Sequence, residues 1–145
     1  MKTLLLTLAA AALLAPAAHA QKVAAAQVPA AATATFHKNF PTVKTVTWEK
    51  EGADYEAGFA MGKAEMSAVI TAAGVLKETE TEIAVAQLPA PVQKALATTY
   101  KGAKISEAAK IVTAATGATA YEAEISQGGK HRDVLFSADG TEVKQ

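Results

Sequence analysis

The chain has no cysteine among its 145 residues. Disulfide staples, thiol nucleophiles, redox CxxC chemistry and thiolate metal sites are therefore excluded, and stability must come from packing alone. Large aromatics are scarce, at 6% of the chain with a single Trp. Charge of one sign is missing as well: 14 basic residues balance 14 acidic ones, so no basic excess is available to neutralise phosphates, and nucleic acid is not an expected partner. Glycines punctuate turns and form no strand-to-helix loop that would cradle a nucleotide phosphate. Ser67, Ser106, Ser126 and Ser137 stand in no Gly-x-Ser-x-Gly elbow, and a triad would have to borrow a histidine across distant segments. Only one long apolar run exists, Leu4 to Leu14, flanked by Lys2 and by Ala18-His19-Ala20. That is the pattern of a signal peptide over residues 1–20, cleaved before Gln21. At about 15 residues the run falls short of the roughly 20 that span a bilayer. No Cys follows it for lipid attachment, so the expected location is periplasmic or secreted, with no membrane span after cleavage.

What the chain does contain is itself twice. Tyr55-Glu56-Ala57, Phe59, Gly62, Val69-Ile70, Ala72 and Gly74 recur at one constant offset as Tyr121-Glu122-Ala123, Ile125, Gly128, Leu135-Phe136, Ala138 and Gly140. Upstream, Val28-Pro29, Phe36 and Phe40 match Leu88-Pro89, Leu96 and Tyr100 at an offset shorter by roughly six residues, an indel of loop size. After a flexible lead-in over 21–27, a single domain over 28–145 is expected, with copy one over 28–83 and copy two over 88–145.

Each copy begins as a helix. Ala32, Phe36 and Phe40 share one helical face before Pro41 ends it; Pro89 and Pro91 suit the first turn of the second helix, Val92, Ala95, Leu96 and Tyr100 recur at helical spacing, and Gly102 closes it. The period then changes to two. Val46 and Trp48 alternate with Thr45, Thr47 and Glu49, and after a turn at 51–54 Tyr55, Ala57 and Phe59 share a face. Two further strands follow, one through Met66, Ala68 and Ile70 and one over 75–83. Copy two repeats the course with strands over 105–113, 118–126, 132–137 and 141–144. The connections are too short for parallel crossovers, so the sheet is antiparallel. The expected fold class is α+β, a tandem duplication of a helix plus a four-stranded antiparallel sheet, with the helices packed on one sheet face.

The run Phe36-x-x-x-Phe40-Pro41, Val46-x-Trp48-Glu49, Tyr55-Glu56-Ala57-x-Phe59 and the turn Ala72-Ala73-Gly74 resembles the PepSY-like family of exported bacterial proteins. Leu88-Pro89-x-x-Val92 and the stretch from Tyr121 to Gly140 resemble its second half. That family is similar in turn to the β-lactamase inhibitor protein, whose two helix-plus-four-strand repeats join their sheets into one concave surface. The resemblance implies a binding surface and no catalytic residues. This chain lacks the disulfides of that inhibitor and carries no motif matching its contact loops.

The candidate chemistry reads mostly as structure. His131 and Asp133 lie two apart, on one face of a strand, but a metal needs further ligands and His37 belongs to the other copy, so no metal or other cofactor is expected. Glu78, Glu80 and Glu82 share a strand face that could gather cations; the more ordinary reading is a solvated or edge-protecting face. The expected function is a non-enzymatic, exported binding module that engages a protein or peptide through its sheet face, with inhibition one form that engagement can take; the alternative is a small-molecule or cation-binding envelope protein. Strand parity puts Thr47, Glu49, Glu56, Glu122 and Glu124 on the face opposite the helices, and Val46, Trp48, Tyr55, Ala57, Phe59, Tyr121 and Ile125 beneath them. Trp48 joins the candidate contacts because Trp anchors many interfaces, on the condition that its side chain points outward.

Overall fold

Pro29 and Pro89 each sit immediately before a ten-residue helix, where a missing N–H costs nothing: α1 is Ala30–Asn39 and α2 is Ala90–Thr99. These elements come from a computed structural model that describes residues 21–144; the expected signal segment lies outside them. A 3-10 turn leads into each helix, Ala25–Gln27 before α1 and Val85–Gln87 before α2. In both turns the Gln side chain reaches back to accept from a backbone N–H, that of Ala24 or Ala84.

The strands are β1 (Gln21–Val23), β2 (Val46–Glu51), β3 (Asp54–Met61), β4 (Ala64–Thr71), β5 (Leu76–Ile83), β6 (Lys104–Thr113), β7 (Thr119–Gln127), β8 (Lys130–Ser137) and β9 (Glu142–Val143). They form one antiparallel sheet in strict sequence order. Two corrections to the sequence reading follow. The chain builds a single nine-stranded sheet in place of two four-stranded ones, because β5 of copy one pairs with β6 of copy two over 78–83 and 108–113. Residues 21–27, expected as a flexible lead-in, supply β1 and a 3-10 turn: Lys22 pairs with Glu49 and Val23 with Trp48, an edge pairing that alternation over three residues is too short to signal.

Both helices lie over the same sheet face, each above its own core. Under α1, Phe36 meets Phe40, Trp48 and Phe59 together with Ala57, Ala68 and Ile70. Under α2, Leu88, Val92, Leu96 and Tyr100 meet Ala108, Ala123, Ile125, Val134 and Phe136. The sheet turn after β4 touches α1 so closely that a Cβ on Gly74 would sit 2.7 Å from the Ala31 carbonyl oxygen. The turn after β8 meets α2 the same way, a Gly140 Cβ falling 2.5 Å from the Pro91 oxygen. Both glycines also have φ near +85°, at 84° and 85°, so glycine is required there twice over. Among the described residues, the opposite sheet face is bare of helix.

Candidate functional site

Register decides what that bare face carries. Trp48 pairs with Ala57 and Ala57 with Ala68, all under α1, so Thr47, Glu49 and Glu51 on β2 and Asp54, Glu56 and Gly58 on β3 must point the other way. The same pairing carries Glu65 and Ser67 on β4, Glu78, Glu80 and Glu82 on β5, Glu107 on β6, Glu122 and Glu124 on β7 and Asp133 on β8 to this side. Of the chain's 14 acidic residues, only Asp139, in the last turn, and Glu142, opposite Phe136, lie elsewhere. Few cations join them. Lys22 sits opposite Glu49, Lys44 lines the groove from the loop before β2, Lys104 lies opposite Ser126, and Lys77, at a β-bulge, bridges to Asp54 at 2.8 Å.

A chain neutral overall thus concentrates its negative charge on one surface. Like charges stand directly opposite each other at Glu49–Glu56, Glu107–Glu124, Glu124–Asp133 and Glu51–Asp54. Such pairs weaken a sheet, so nothing in the fold itself calls for them.

The surface curls into a groove of about 960 Å³. Its walls come from Lys22 on β1 through to Glu122 on β7, and its mouth includes the loop over 42–45 and the turn at Met61 and Gly62. Curvature sinks three carboxylates to its floor: Glu56, Glu80 and Glu122 retain 8%, 5% and 4% of their surface. Glu56 and Glu122 are the same position in the two copies, and Glu80 lies between them on β5. Burial raises Glu56 to about 7, offset in part by a hydrogen bond from Ser67. Burial raises Glu122 to about 7 as well, with repulsion from Asp133 and Glu78 adding to it. Glu80 is pushed to about 9, first by burial and then by repulsion from Glu122, Glu56, Glu78 and Asp133.

At the far end of this face Glu124 is well engaged. Ser106 donates to its Oε1 at 2.8 Å, and His131 Nδ1 lies 3.1 Å from the same atom. His131 and Asp133 do share this side, as their spacing requires, yet among the described residues no group of carboxylates and histidines is arranged to hold a metal ion.

The structure therefore places five of the six candidate contact residues, Thr47, Glu49, Glu56, Glu122 and Glu124, on one face, with Trp48 as the exception. Its indole is 3% exposed and packs edge-on against Phe36 at 5.5 Å, so it belongs to the core and is withdrawn from the contact set. The reading of Glu78, Glu80 and Glu82 as an edge-protecting face is also corrected. β5 lies mid-sheet between β4 and β6, and Glu80 is among the most buried carboxylates in the molecule. Alternation located these side chains, but no local signal shows that a strand is central or that a sheet is concave.

A family model described as "Putative beta-lactamase-inhibitor-like, PepSY-like" matches the chain twice, over residues 16–77 and 71–143. Among solved structures, a protein of Bacteroides uniformis from the DUF2874 family is 19% identical with a TM-score of 0.72, over 80% of this chain and 86% of its own. One from Bacteroides eggerthii, described as among "putative periplasmic proteins", is 16% identical with a TM-score of 0.73, over 81% and 86%. A BLIP-like protein of Bacteroides fragilis is 24% identical with a TM-score of 0.67, over 80% and 84%. At such identities these neighbours share the fold. No curated protein matches. Two family segments spanning almost all the described residues, on a sheet and two helices that the neighbours share, show that this chain belongs to the PepSY-like, β-lactamase-inhibitor-like family.

Proposed function

We propose that this is an exported, non-catalytic binding module whose helix-free sheet face grips another exported protein. The observation that carries the reading is the groove itself, to which β1 through β7, and therefore both copies, contribute walls. A face that size, left uncovered while the opposite face is filled by two helices, is what a scaffold for a partner needs. Among the described residues no helix is long and apolar enough to cross a membrane. The carboxylates sit around an open groove walled by both copies, which suits recognition better than chemistry.

The test is a crosslinked pull-down of the tagged protein from the envelope of its own host, with an unrelated exported protein as control. One strongly enriched protein is the expected result and supplies the target for an inhibition assay. If nothing is enriched above the control, the stable-partner reading fails, and small cations and ligands take its place.

A further inference from the structure

We propose that the partner segment seated in the groove is cationic, an arginine- or lysine-bearing stretch of protein whose charged heads meet Glu56, Glu80 and Glu122. The inference rests on the binding-module reading and names the chemistry of what that module holds.

Three observations converge. First, the groove floor holds carboxylates that the protein itself leaves unanswered. Glu80 and Glu122 retain only 5% and 4% of their surface, among the described residues no protein donor reaches either one, and no carboxyl oxygen is sealed off without a partner, so their oxygens open to the groove. A carboxylate with so little water around it is poorly solvated, and a guanidinium or ammonium from outside supplies the missing donors. Second, the dimensions exclude a single ion. Glu56 on β3 and Glu122 on β7 are four strand spacings apart, about 19 Å at ~4.8 Å each, so several cations on one backbone are needed to answer the floor. Third, the groove is amphipathic. Ala109, opposite Glu82 and Glu122, and Met61 at the mouth line it beside the carboxylates, offering apolar surface to the methylene stems of Arg and Lys. Arginine suits the buried end better, being more weakly hydrated and able to bond a carboxylate through two donors.

The same charge rules out other occupants. A second copy meeting it face to face would bring the same acidic surface, and nucleic acid or an anionic lipid surface would be repelled. A polyamine has the charge but no side chains to fill the apolar part of the groove.

The experiment is fluorescence anisotropy of a labelled eight-residue peptide alternating Arg with Ala, at low ionic strength. Its Glu-for-Arg counterpart and spermine are the comparison probes. The expected result is saturable binding of the Arg peptide, lost at 0.5 M salt on the order expected when the screening length falls below about 5 Å. The Glu peptide should not bind, and spermine should displace the Arg peptide only in large excess. The double variant Glu80→Gln/Glu122→Gln should weaken binding at least tenfold, while Glu142→Gln, on the helix side, should leave it unchanged; circular dichroism confirms that each variant is folded. Because Glu56, Glu80 and Glu122 hold protons near neutrality and face Glu49, Glu51, Glu78 and Asp133, cation binding at pH 7 should release protons, read as an enthalpy that varies with the buffer's ionisation heat. Equal binding of Arg and Glu peptides, unchanged affinity in the double variant, no binding of the Arg peptide, or displacement by equimolar spermine would each overturn the inference. A partner captured through this face by a neutral or acidic segment would overturn it too, while leaving the binding-module reading intact.

Discussion

Under α1 the core is aromatic: Phe36 lies 5.3 Å from Phe40, 5.5 Å from Trp48 and 5.1 Å from Phe59, mostly edge-on. Under α2 the same places are filled by Leu96, Tyr100, Ala108 and Ile125. Trp48 and Ala108 are equivalent because each pairs with the matching alanine of the next strand, Ala57 or Ala123. The bulk lost at Ala108 returns at other points of copy two, where Val92 stands for Ala32, Val134 for Ala68 and Phe136 for Ile70. Total volume is what a core must match, and residue identity can drift around it. The opposite face behaves differently. Glu56 and Glu122 are the same residue, sunk to the same depth, with the same upward shift to about 7. Gly74 and Gly140 are likewise unchanged, at φ 84° and 85° against the helix backbone. Packing tolerates exchange between the copies; backbone approach and the groove floor do not show it.

The sharpest way to break that comparison is to empty both cores. Phe36→Ala should cost about 3–5 kcal/mol and Leu96→Ala about 2–5, the aromatic site being the more expensive in urea denaturation. A larger loss at Leu96 would mean the second core carries the fold. Next come the glycines. Gly74→Ala and Gly140→Ala should each destabilise by about 1–3 kcal/mol, since both the positive φ and the helix carbonyl oppose a Cβ. A cost well under 0.5 kcal/mol, at about the level of an ordinary surface substitution, would show that the helix yields easily there.

The floor should reveal itself through pH. Glu80 at about 9, and Glu56 and Glu122 at about 7, all lie above the ordinary 4.5, so between these values the folded protein holds protons that the unfolded chain has released. Stability is therefore full in mild acid and falls as pH rises from about 4.5 towards 9. Glu80→Gln should flatten the fall across the whole range and most of all above pH 7, where Glu80 alone still sheds its proton, whereas Glu56→Gln and Glu122→Gln should each flatten it by similar amounts between about 4.5 and 7. Denaturation midpoints taken at pH 5, 7 and 9 decide this, and a midpoint that rises with pH would contradict it. The smallest effect concerns Trp48. Its fluorescence should resist iodide quenching in the folded protein, and free quenching would place the indole outside the core.

Much of the fold can be read from spacing. Phe36 and Phe40 one turn apart before Pro41, and the two-residue alternation around Trp48 and Tyr55, locate α1, β2 and β3 within a residue or so of their ends. The duplication also aligns Glu56 with Glu122. What spacing cannot express is how strands from distant parts of the chain come together. That β5 pairs with β6 and closes the two copies into one sheet is a long-range fact, and so is the pairing of Lys22 with Glu49. The groove depends on both. For the same reason Glu80 reads from sequence as part of a solvated stripe: its neighbours Thr79 and Thr81 give the alternation of an exposed strand, and its place mid-sheet between Ser67 and Ile111 is set by long-range pairing that local pattern does not carry.

The account stands on the helix-free face being the face that meets a partner. Photocrosslinking from each side tests it most directly, with p-benzoylphenylalanine placed at Thr47, in the groove wall, or at Lys110, exposed on the helix side opposite Tyr121. Illumination in the host envelope should give a discrete adduct from position 47 and none from position 110. An adduct from position 110 alone, or equal adducts from both, would contradict the account.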